Sequence, residues 1–170
     1  MARYQAIVPS RHSTAQTFAY LATFSNAVHW DPGVLAGQQL DPGPVGPGTR
    51  FRLVVPFLGL RMPLTYQVTS YQPGREMVLA ASNGLLRATD KIVVTGSRDA
   101  SAVDYAAEVC LRGPFRVLDP LLRPGFRAVG DRAATGLAQA LSGEPAGEIT
   151  AAPGTAAPPQ QAARLPRETP

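Results

Sequence analysis

The chain has 170 residues, enough for one domain with a single core; 45% of them are hydrophobic and 16% charged, which excludes a fibrous chain and a wholly disordered one. The formal charge is +4, carried by 15 arginines and one lysine, Lys91, against 12 acidic residues, a bias that does not by itself suggest a polyanion partner. With 16 glycines and 17 prolines the domain must be rich in turns, and no run of about 18 apolar residues exists to form a spanning helix.

In chain order, Arg3 to Val8 alternates weakly and reads as a first strand ending near Pro9, not as the basic start and apolar core of a signal peptide, so a cytoplasmic location is expected. Ser13-Thr14-Ala15-Gln16 has the Ser-x-x-Gln form of a capping box, and Phe18, Leu21 and Ala22 follow at helical spacing. A second short helix near Phe24-Ser25-Asn26 ends at Trp30-Asp31-Pro32-Gly33. From Val34 to Arg112 the period is two, punctuated at Asp41-Pro42-Gly43, Gly59, Gln72-Pro73-Gly74, Asn83-Gly84 and Gly96-Ser97, which predicts successive antiparallel strands joined by hairpins. Alternation puts Phe51, Leu53 and Val55 on one face, then Leu64, Tyr66 and Val68, then Val103, Tyr105, Ala107, Val109 and Leu111. The glycines between Pro42 and Arg50 do not make a phosphate loop, because the Lys-Ser/Thr is missing and Pro44 and Pro47 remove amides.

After Gly113-Pro114 the period becomes helical through Phe115, Leu118, Leu122, Phe126, Val129, Ala133, Leu137 and Leu141. Pro124 predicts a kink or break between Leu118 and Gly125, followed by a continuous helix to about Ser142. Arg116, Arg123, Arg127 and Arg132 form its solvated side; without interleaved aromatics they do not predict a nucleic-acid partner, though they leave room for an anionic head group or a substrate carboxylate. From Gly143 to Pro170 there are six prolines, three glycines and seven alanines but no aromatic, so residues 143–170 are expected to be a disordered tail behind a domain of residues 1–142. A single cysteine, Cys110, with only His12 and His29 beside it in type, gives no metal-ligand spacing, and neither a metal nor another cofactor is expected.

Several stretches resemble the polyketide cyclase/dehydrase and lipid-transport superfamily, also called SRPBCC or START-like, and its actinobacterial members in particular. They are Trp30-Asp31-Pro32-Gly33-Val34, Gly48-Thr49-Arg50-Phe51, Leu64-Thr65-Tyr66-Gln67-Val68, Thr89-Asp90-Lys91-Ile92, Leu111-Arg112-Gly113, Asp119-Pro120-Leu121-Leu122 and Gly130-Asp131-Arg132-Ala133-Ala134. The resemblance covers roughly Arg3 to Ser142 and implies an α+β helix-grip fold. In that fold a bent antiparallel sheet of about seven strands wraps a long C-terminal helix, with two short helices after the first strand. It also implies a cavity for lipids, polyketides or similar apolar molecules, but no particular reaction.

Among candidate site residues, Asp90 is the most informative. Leu86, Ala88, Asp90, Ile92 and Val94 share a face, so alternation points a carboxylate inward, where desolvation would raise its pKa and fit it for proton transfer. The alternative is an internal hydrogen bond or an ion pair with an arginine. Tyr66 and Tyr105 point inward by the same parity, to bind a ligand carbonyl or merely to pack. Trp30 is a candidate for the pocket entrance, and His29 beside it reads as a surface residue. The expected ligand-binding wall comprises Trp30, Phe51, Leu53, Val55, Leu64 and Tyr66, with Val68, Met77, Leu79, Ala88, Asp90 and Ile92 further along the sheet. Tyr105, Ala107 and Val109 of the last strand and Leu122, Phe126 and Val129 of the helix complete it. Three functional readings follow: a binder of a hydrophobic small molecule, a cyclase, aromatase or dehydrase using Asp90 or a tyrosine, and a regulatory or toxin/antitoxin protein. A monomer or weak homodimer without stable membrane insertion suits all three.

Overall fold

The alternating segments form one antiparallel sheet. The strands are β1 (Ala2–Ser10), β2 (Ala36–Gln39), β3 (Arg50–Phe57), β4 (Leu60–Gln72), β5 (Glu76–Ser82), β6 (Leu86–Gly96) and β7 (Ser101–Leu111). The computed structural model describes residues 1–57 and 59–143, apart from the side chains of residues 118 and 121–123; the proline- and alanine-rich segment 144–170 lies outside the described residues. The spatial order is β1-β7-β6-β5-β4-β3-β2, so β2 to β7 form a meander and the first strand closes against the last. A register shift between Val68 and Ser70 on β4 adds local twist, which helps the sheet bend.

The chain crosses from one sheet edge to the other through α1 (Thr14–Ala22), a 3-10 turn at Phe24–Asn26 and α2 (Ala27–Trp30). The capping box forms as the sequence indicates: the Ser13 side chain accepts from Gln16 N, and Gln16 Oε1 accepts from Ser13 N at 3.2 Å. Thr17 then ties α1 to the sheet through hydroxyl contacts of 2.8 Å to Ser10 and 2.9 Å to Ser101, all three residues being buried. These bonds satisfy polar groups that would otherwise be costly to bury.

The C-terminal helix α3 (Asp119–Ser142) runs unbroken through Pro124, correcting the expected break between Leu118 and Gly125. A proline in the second turn removes one backbone hydrogen bond, and here the change of helical type falls earlier, where a 3-10 helix at Gly113–Leu118 gives way to α3. Phe115 lies in that 3-10 segment and is exposed, so the apolar stripe is shorter than its spacing indicated. Ala133, Leu137 and Leu141 are buried against the sheet, each leucine contributing roughly 1.5–3 kcal/mol by burial. Two glycines let α3 approach closely: a Cβ at Gly130 would strike the Tyr4 ring, and one at Gly136 the Trp30 carbonyl.

Candidate functional site: an apolar cavity with a buried carboxylate

Alternation makes one sheet face apolar, but the two halves of that face are used differently. Part of it is filled: Phe51, Val68, Met77, Leu79 and Ile92 belong to the buried core together with Leu21 of α1 and Leu137 and Leu141 of α3. These five expected wall residues are buried in the core and are not among those lining the cavity. Elsewhere a cavity of about 340 Å³ opens between the sheet and α3.

The sheet side of this cavity is built from Leu53 and Val55 of β3, Leu64 and Tyr66 of β4, Ala88 and Asp90 of β6, and Tyr105, Ala107 and Val109 of β7. Phe126 and Val129 of α3 close it, and Trp30 stands at its α2 side. The Leu122 side chain lies outside the described ones. Trp30 is buried rather than placed at a rim, with its ring edge-on to Tyr105 at 5.6 Å and 80°. His29 is exposed. Ala88 and Ala107 supply small side chains where larger ones would fill the space.

Asp90 is the polar centre. Its side chain is inward and buried, and its partner is a phenol, not an arginine: Tyr105 Oη donates to Asp90 Oδ1 at 2.7 Å. Tyr66, held edge-on against Phe24 with ring centroids 5.3 Å apart, also approaches the carboxylate, close enough to favour its ionised form but without the short directed bond that Tyr105 makes. Burial pushes the Asp90 pKa from 3.8 up to about 6; the Tyr105 and Tyr66 hydroxyls pull it down, and the charge on Asp31 pushes it up. The same burial, then the Asp90 charge, holds both phenols well above their ordinary value of 10.0.

Asp31 is the cavity-lining carboxylate that sequence reasoning missed. It lies in the turn after α2 and lines the cavity, with Gly33 N donating to its Oδ1 at 2.7 Å. Burial raises its pKa, and the Gly33 amide lowers it in part. The Asp-Pro-Gly signal marked a turn correctly and so concealed the second carboxylate; adjacency to Trp30 was the available clue. Tyr4 of β1 also lines the cavity beneath Gly130. Among the described residues, no group of three or more His, Cys, Asp or Glu is placed to hold a metal ion, and no helix is long and apolar enough to cross a membrane. The arrangement can enclose an apolar molecule, orient it by hydrogen bonds and exchange a proton near pH 6.

The family model described as polyketide cyclase/dehydrase and lipid transport matches residues 1–142. The chain belongs to that family. Solved structures similar to this family member include a START superfamily protein from Mycobacterium smegmatis, 13% identical with a TM-score of 0.68, covering 83% of this chain and 97% of the other. The Zhui aromatase/cyclase from Streptomyces sp. R1128 is 13% identical with a TM-score of 0.63, covering 82% and 90%. A Thermus thermophilus protein is 12% identical with a TM-score of 0.66, covering 82% and 96%. At such identities the likeness establishes the helix-grip fold and nothing finer. No curated protein matches the chain in sequence.

Proposed function

We propose that the protein binds a hydrophobic small molecule, ring-containing or acyl, in the cavity between the sheet and α3. The observation that carries this is the cavity itself: about 340 Å³, walled largely by apolar side chains, with its buried polar groups gathered around Asp90. Its volume falls at the low end of the range of ligand sites, about 300–1,000 Å³. It is a little over twice the roughly 150 Å³ that holds a benzene, so two fused rings or a medium acyl chain would fit. Apolar contact supplies the affinity, at about 25 cal/mol per Å² removed from water, and the Asp90 cluster orients the ligand. Membership of a family described by polyketide chemistry and lipid transport supports the same reading. The actinobacterial type and a cytoplasmic location, carried by sequence wording alone, belong to this proposal.

A second reading is an enzyme of cyclase, aromatase or dehydrase type. Asp31 favours it, because a second carboxylate beside Asp90 supplies the pair of ionisable groups that acid/base chemistry needs, and a pKa of about 6 suits proton transfer near neutrality. Binding is common to both readings and is therefore the conclusion. Native mass spectrometry of protein purified from its own host tests it: a retained small molecule is expected, and it should be absent from an Ala88→Phe variant whose cavity is filled. Incubation with a polyketide mimic separates the readings, since an enzyme would lose about 10² to 10⁴ in turnover on Asp90→Asn with affinity little changed.

A further inference from the structure

The polar inventory of the cavity is one-sided. Two carboxylates line it, Asp31 and Asp90. A third acid, Glu108, contributes to the wall, but its carboxylate is exposed and paired with Arg3 Nε at 2.8 Å. Among the described residues no lysine, arginine or histidine lines the cavity, and Arg127 and Arg132 of α3 are exposed and outside its lining. The Tyr105 hydroxyl proton is committed to Asp90 Oδ1, which leaves the lone pairs of that phenol as acceptors. One lone pair of Asp31 Oδ1 is taken by Gly33 N, and its other oxygen remains an acceptor. The other side-chain donors on the described lining are the Trp30 indole N–H and the Tyr4 and Tyr66 hydroxyls, all uncharged, and the Tyr66 hydroxyl already bears on Asp90.

We infer that the cavity accepts apolar molecules carrying a hydrogen-bond donor, an amine or a hydroxyl, and rejects those whose polar group is a carboxylate. This rests on the binding reading above and names its ligand class. A carboxylate in the cavity would meet two like charges in surroundings of low polarity, with no cation among the described lining side chains to offset them, so it must stay protonated or stay out. A donor meets the opposite situation: carboxylate and phenol oxygens with free lone pairs, one of them on a buried acid whose hydrogen bonding improves when a ligand supplies a further proton donor. The α3 residues described on the wall, Gly125, Phe126, Val129, Gly130 and Ala133, are all apolar.

The test is isothermal titration of the full chain near pH 8 with one skeleton carrying four ends: naphthalene, naphthol, naphthylmethylamine and naphthoate. Naphthol and the amine should bind at least about tenfold tighter than naphthoate. Replacing both acids, Asp31→Asn with Asp90→Asn, should shrink that gap to about threefold or less by weakening the amine and strengthening naphthoate. Should the double variant fail to fold, Asp31→Asn alone, at a partly buried position, reads the same narrowing. Naphthoate binding as tightly as the donors, or a gap untouched by the variants, would overturn the inference while leaving the binding reading intact. Failure of every compound, the parent hydrocarbon included, would overturn the binding reading and the ligand class with it.

Discussion

Removing the charge of Asp90 should stabilise the protein, and by an amount that depends on pH. Its carboxyl is buried at the cavity wall and its pKa rises from 3.8 in the open chain to about 6 in the fold. A raised folded-state pKa means that the folded protein binds this proton more tightly than the unfolded chain. The stability it contributes is therefore fully present below pH 3.8 and is lost as pH rises through about 6. A shift of about two units corresponds to about 3 kcal/mol, at 1.36 kcal/mol per unit. Asp90→Asn removes the titration and keeps an oxygen to accept the Tyr105 hydroxyl. Urea unfolding followed by far-UV circular dichroism should show the variant more stable than the wild type by about 1–3 kcal/mol near pH 8, with the difference fading toward zero near pH 4. A variant that is less stable at pH 8, or a difference that does not change with pH, would refute the account of Asp90 as a strained, buried acid.

Other positions give independent checks. Gly136→Ala places a methyl against the Trp30 carbonyl, and Gly130→Ala one in the Tyr4 ring; each should cost about 1–3 kcal/mol in thermal or urea unfolding although alanine favours helix, and a gain in stability would mean that α3 does not pack this closely. Leu79→Ala, in the filled half, should cost about 2–5 kcal/mol, whereas Leu53→Ala, which already faces the cavity, should cost distinctly less; equal losses would argue against the division of the sheet face. A chain ending at Ser142 should melt with the same cooperativity and midpoint as the full protein, and a large fall in midpoint would show that residues 143–170 dock.

Much of the fold is legible in the sequence because two periods dominate it. Alternation from Val34 to Arg112 fixes seven strands with β1, and the capping box locates α1 to the residue. Parity also turns Asp90, Tyr66 and Tyr105 inward, where the structure has them. What parity cannot supply is position along a strand. Met77 and Ala88 share a face, yet one is packed into the core and the other borders the cavity. Pro124 suggested a break because proline costs a backbone hydrogen bond and crowds the preceding turn, yet α3 continues through it. Asp31 was hidden because the same residue serves the turn and the cavity.

The measurement that bears most directly on the central claim is a titration of an apolar probe followed by the fluorescence of Trp30, the only tryptophan and a cavity wall residue. The wild type should show saturable quenching with one site per chain. Ala107→Phe, which fills the cavity from β7, should abolish it while circular dichroism and the melting midpoint stay close to the wild-type values. Quenching that persists at the same affinity in a folded Ala107→Phe variant, or no saturable quenching in the wild type, would contradict the account.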